Sequence, residues 1–219
     1  MDTITPFGIP LWAELVAVGL GALQGALFAG ALTDRRIDVL GTVLVGTGVA
    51  LGGGLRDILL GVPPVAVYGP WYVLVAALTA LVGLSLQRLF ARLDPVIVPL
   101  DAVVIGLFGA IGTTKALALG VPAVPAVLVG AAAAVGGSVL RDVTLALPVA
   151  LLHVGSLYAV AAAGGAALIV ALVTAGAPAL PAAVTGVVVT TLVRLLAVRF
   201  GWTFPSSRRS SCADGGGER

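Results

Sequence analysis

The chain has 219 residues, of which 59% are apolar and only 10% charged, against roughly 45–50% and about 25% in ordinary soluble domains. So little polar sequence could not cover a water-soluble surface, and a net charge of +2 offers no phosphate-binding face, which excludes nucleic-acid binding as a main role. What remains is an integral membrane protein, long enough for about six to eight helices of roughly 20 residues each.

Hydrophobic segments bounded by charges, prolines and turn residues predict seven transmembrane helices, near 12–32, 39–60, 71–87, 96–113, 121–142, 151–174 and 180–199. Helices are expected because a lipid-exposed backbone must satisfy its own hydrogen bonds, and no alternating barrel pattern is visible. Residues 1–11 carry an acid where a cleavable signal would be positive, so the first segment is read as a retained helix behind a short extracellular tail. Glu14, Trp12, Trp71, Tyr72 and Trp202 are read as residues of the membrane interface. Residues 205–219, rich in Ser, Gly and Arg, predict a disordered cytoplasmic tail whose Arg208 and Arg209 are placed to touch membrane lipids of negative charge. The sole cysteine, Cys212, lies in that tail, and the sole histidine, His153, reads as an interfacial or packing residue. With neither an HExxH nor a GxSxG sequence, no enzyme, no cofactor and no resident metal is expected.

The basic residues predict the orientation. With the N-terminus outside and the C-terminus in the cytoplasm, Arg35, Arg36, Arg88, Arg92, Arg194, Arg199, Arg208, Arg209 and Arg219 fall inside, and only Lys115 falls outside. The expected location is the cell membrane, crossed several times.

An internal repeat is visible. Leu51-Gly52-Gly53-Gly54-Leu55-Arg56-Asp57 returns as Gly136-Gly137-Ser138-Val139-Leu140-Arg141-Asp142, at an offset of 85 that also carries Gly21 onto Gly106 and Pro63 onto Pro148. The halves are 12–90 and 97–175, three helices each, with the helix at 180–199 unpaired. An odd number of spans per copy sends the second copy into the membrane from the opposite side, so the fold expected is all-α, two inverted three-helix repeats plus a seventh helix.

Glycine costs a helix about 1 kcal/mol relative to alanine. The clusters Gly52, Gly53, Gly54 and Gly136, Gly137, Ser138 therefore predict kinks in the second and fifth helices, with loosened carbonyls lining a polar pathway. The rival reading is close helix packing, which is preferred for Gly21 and Gly25. Arg56, Asp57, Arg141 and Asp142 follow the glycines inside the spans, where charges normally face the bundle interior or water. Arg and Asp neighbours lie about 100° apart on a helix, so each is expected to pair across to another helix, with Asp101 a candidate; the rival reading is an interfacial salt bridge that fixes helix ends. Lys115 either marks a pathway mouth or snorkels to the headgroups.

These residues carry a resemblance. Two three-helix repeats, each with a GG(G/S)xxRD-like motif on its second helix, together with Leu100-Asp101-Ala102, Gly106-Leu107-Phe108-Gly109, Gly112 to Lys115 and Tyr158-Ala159, resemble the prokaryotic TRIC family of trimeric intracellular cation channels, also catalogued under a glycine transporter domain name. The first repeat departs from the pattern with Leu51 at its first glycine. The resemblance implies a homotrimer in which each protomer holds its own pore for monovalent cations, mainly potassium, lined by the kinked second and fifth helices at Gly52, Gly53, Gly54, Gly136, Gly137 and Ser138. A secondary transporter of a small solute such as an amino acid is the alternative, because inverted repeats with broken helices also build transporters.

Overall fold

The computed structural model describes residues 10–32, 37–89, 94–152 and 158–202. It is helical: α1 (Leu11–Ala31), α2 (Val39–Ala50), α3 (Gly53–Leu59), α4 (Val65–Tyr68), α5 (Pro70–Leu89), α6 (Asp94–Ala118), α7 (Ala123–Thr144), α8 (Tyr158–Thr174) and α9 (Ala179–Arg199), with one 3-10 turn at Ala150–Leu152. Among the described residues five helices are long and apolar enough to cross a membrane, and α2 with α3, bent by 42° at their junction, makes a sixth. The helix expected at 151–174 is described as α8 from Tyr158 onward. His153, Cys212, the basic residues Arg35, Arg36, Arg92, Arg208, Arg209 and Arg219, and both tails up to residue 9 and from residue 203 lie outside the described residues.

The polarity of the bundle is set by lipid. On α9, Leu180, Val184, Val188, Leu192 and Leu196 recur every fourth residue and are all exposed, forming a stripe that suits hydrocarbon. The interior is built instead from small residues: Ala22, Ala26, Ala76, Ala80, Ala102, Ala116 and Ala126 are fully buried. Small side chains let helix backbones approach, and that contact drives association where lipid is as apolar as leucine. Gly25 and Gly46 show the same device, since a β-carbon on Gly25 would stand 2.7 Å from Val49 and one on Gly46 2.7 Å from the Ala22 carbonyl. Gly48 faces open space instead. Trp12, Trp71 and Trp202 are well exposed, whereas Tyr72 is buried and faces the bundle interior.

The two glycine clusters behave differently. Between α2 and α3 the helical pattern tightens to bonds three residues back, Gly52 N to Val49 O at 3.0 Å, Gly54 N to Leu51 O at 2.7 Å and Leu55 N to Gly52 O at 3.1 Å. Thr47 contributes, because its hydroxyl donates to Val43 O at 2.7 Å, a back-bond that bends helices. The break falls at Leu51 and Gly52, and Gly53 and Gly54 already belong to α3. The expected kink at Gly136, Gly137 and Ser138 is absent: α7 runs unbroken through all three. Two glycines cost about 2 kcal/mol in helix propensity. The alanine run 131–134 before them and packing against α6 and the α2–α3 pair outweigh that cost.

Candidate functional site

The glycines meet one another. A β-carbon on Gly52 would stand 2.4 Å from Gly137 N and 2.5 Å from Gly137 Cα, and one on Gly137 would stand 2.7 Å from Val49 O. Gly52 and Gly137 occupy the same position of the repeated motif, so the two motifs cross backbone to backbone at mid-bundle. The carbonyls of Val49 and Gly52 point at α7 glycines rather than into an open passage: a β-carbon on Gly136 would lie 3.2 Å from Gly52 O. The Phe108 ring sits beside the crossing, 3.4 Å from where a Gly53 β-carbon would be and 3.1 Å from that of Gly21.

Polar clusters lie on either side of the crossing. In the first, Asp57 is fully buried, and its Oδ1 accepts from Arg56 Nε and from Lys115 Nζ, both at 2.8 Å. Its Oδ2 accepts from Val65 N at 3.1 Å. Nearby, buried Glu14 accepts from the Tyr72 hydroxyl. Both residues line a cavity of about 310 Å³ together with Gly53, Gly54, Arg56, Pro64 and Phe108.

In the second cluster, Asp142 Oδ1 accepts from Arg141 Nε at 2.9 Å and lies 2.8 Å from its Nη2, while Oδ2 accepts from Ala150 N at 2.9 Å. The Arg141 guanidinium stacks on the Phe28 ring, 3.8 Å from its centroid. Asp101 Oδ1 accepts from Gln24 Nε2 at 3.0 Å and from the Tyr158 hydroxyl at 3.1 Å. Ser138 Oγ is hydrogen-bonded to that same hydroxyl. Arg141 Nη1 and Arg194 Nη2 each stand 3.9 Å from an Asp101 oxygen.

Several expectations are corrected here. Arg56 and Arg141 do pair with their sequence neighbours, because the long arginine stem swings across the angle that separates their β-carbons. Lys115 does not snorkel: it is 0% exposed and bound to Asp57, a buried carboxylate within its reach. Glu14, expected at the interface, is 4% exposed and turned into the bundle, where Tyr72 holds it. Arg194, counted among the basic residues on the inner side, turns its side chain into the bundle toward Asp101. Gln24 and Arg194 were readable only as a lone amide and a lone cation inside apolar spans, a signal that polar groups there seek partners.

The bonds closing the two motifs are the same at the repeat offset. Val62 N reaches Asp57 O at 2.9 Å and Leu147 N reaches Asp142 O at 2.8 Å, while Val65 N and Ala150 N hold the two carboxylates. The glycine transporter family model matches residues 11–88 and, separately, residues 98–174. The chain belongs to this family, the TRIC family. Among relatives of this TRIC protein, inner membrane protein YadS of Escherichia coli is 35% identical over 199 residues, covering 89% of this chain and 94% of its own. A membrane protein of Deinococcus radiodurans is 32% identical over 158 residues, 71% of this chain and 72% of its own. Among solved structures, a TRIC cation channel superposes with a TM-score of 0.80 at 27% identity, over 92% of this chain and 98% of the other. The TRIC trimeric intracellular cation channel orthologue from Rhodobacter sphaeroides superposes at 0.79 with 30% identity, over 88% and 98%. The TRIC protein described here is a multi-pass membrane protein of that fold.

Proposed function

We propose that the protein is a cation channel that conducts monovalent cations, mainly potassium, through a pore in each protomer of a homotrimer. The observation that carries this reading is the superposition on TRIC channels over nearly the whole chain. The pathway we assign runs from the Asp57 cluster past the glycine crossing to the Asp101 and Asp142 cluster, between the broken α2–α3 pair and straight α7. Buried carboxylates above and below are the groups that attract cations, and Gly52 against Gly137 is the closed constriction between them. The seven-span, inverted-repeat arrangement is part of the same proposal, supported by the matching turns after Asp57 and Asp142. Recording in planar bilayers tests it: unitary potassium current steps are expected, and saturable flux coupled to an ion gradient without steps would make the protein a carrier instead.

Two further outcomes are expected. Gly53→Leu and Ser138→Leu should each reduce unitary current severalfold in protein of verified assembly. Leucine at Gly53 presses on Phe108, and at Ser138 it removes the hydroxyl bonded to Tyr158. Leucine at Gly48, which faces open space, should leave current unchanged; normal current in both pathway variants would place the route elsewhere. Orientation is read by labelling. A cysteine at Val67, 73% exposed on α4, should react with an impermeant thiol reagent added outside, while Cys212 should not, and the reverse pattern would invert the topology.

A further inference from the structure

Asp101 is held tightly by neutral donors and loosely by charge. Gln24 and Tyr158 donate to it at 3.0 and 3.1 Å, but both guanidinium groups stand at 3.9 Å, beyond hydrogen-bond distance. Arg141 is already committed to Asp142 at 2.8 Å, so the countercharge of Asp101 is Arg194. That residue comes from α9, outside both segments matched by the family model. Its guanidinium rests on the Tyr158 ring, 4.6 Å from the centroid, and its Nε is buried with no hydrogen-bond partner. Gln24 is 1% exposed, and its Oε1, the other end of the amide that donates to Asp101, is likewise buried without a partner. An unmade hydrogen bond at a buried group marks a place for something else to sit.

We propose that Asp101 and Gln24 Oε1 form a seat for a monovalent cation, and that Arg194 is a tethered cation standing guard beside it, 3.9 Å from Asp101. The oxygen set is right for an alkali ion: a carboxylate, an amide carbonyl, and the hydroxyl chain Ser138 to Tyr158 behind them. The charges are also right. Asp101 and Asp142 balance Arg141 and Arg194, so an ion arriving beside the unmoved arginine would leave the buried cluster one charge too positive. Occupation therefore requires Arg194 to leave. It lies five residues before Arg199, the last residue of α9, roughly 7.5 Å along the axis, a distance its stem spans in snorkelling toward the helix end. The arginine and the ion then exchange at one carboxylate, and Arg194 sets how readily the seat fills.

The conduction arm of the test rests on the channel reading, so wild-type current is recorded first and a binding measurement runs beside it. For conduction, unitary conductance is followed against KCl concentration in wild type, Arg194→Gln, Arg194→Met and Asp101→Asn/Arg194→Gln. Removing the tethered cation should lower the half-saturating potassium concentration by threefold or more, and the double variant should lose that gain. For binding, thermal unfolding is followed in KCl against choline chloride at equal ionic strength. Potassium should raise the midpoint more in Arg194→Gln than in wild type, through preferential binding to the folded state. Absence of wild-type current with this potassium effect intact sinks the channel reading and leaves the seat standing. An unchanged half-saturating concentration, or equal potassium stabilisation of both proteins, overturns the seat. Failure of both Arg194 variants to assemble overturns it too, because an arm that must leave its carboxylate cannot be indispensable to the fold.

Discussion

Gly52→Ala is expected to be among the most damaging single-methyl additions in this protein. The new β-carbon would stand 2.4 Å from Gly137 N and 3.0 Å from Val49 O, and neither atom belongs to a side chain that can turn aside. Overpacking a tight contact costs about 1–3 kcal/mol, and backbone on the opposing side puts this case at about 3 kcal/mol. Gly48→Ala, four residues earlier, meets nothing within 4 Å and gains up to about 1 kcal/mol of helix propensity. Thermal unfolding in detergent should therefore show opposite shifts for the two variants. Equal midpoints would mean that α7 slides away from the break at little cost, and that the crossing is not a fixed contact.

The other large effect is expected at Asp57. Its carboxylate accepts from both Arg56 and Lys115 and holds the chain reversal through Val65 N. Asp57→Asn takes the negative charge away from two buried cations, and breaking a buried pair in this way costs about 3–5 kcal/mol. Asp57→Asn with Lys115→Met removes one of those cations as well and should recover much of the loss, since an apolar replacement for a buried pair is often neutral. The readouts are the unfolding midpoint and the yield of assembled protein. If Asp57→Asn unfolds like wild type, the carboxylate faces water, and the cluster is an open vestibule rather than a closed polar layer.

Much of this architecture was legible in the chain itself. Apolar length marked out the helices, since lipid admits only backbones that satisfy themselves, and the ends of α1, α7 and α9 agree with the expected spans within a few residues. The repeated motif was equally plain. The Gly-rich stretch before Arg56-Asp57 announced a weak helix, and α2 does break there.

What the chain could not announce depends on partners distant in sequence. Propensity marks Gly136, Gly137 and Ser138 as weak, though less so than Gly52, Gly53 and Gly54, yet only one helix breaks, because neighbours packed along α7 outweigh the local cost. The same neighbours decide what the glycines do: room for a backbone exists at Gly52 only because Gly137 arrives opposite it. Charges follow that rule with larger stakes. Lys115 and Asp57 are 58 residues apart, and Gln24 and Asp101 are 77 apart; a buried ion takes whichever counterion the fold brings within reach. Sequence therefore determined which segments are apolar and helical and which residues must find polar company among them. Tertiary structure alone decided the company, because desolvation makes every buried charge seek a partner while only packing brings one within reach.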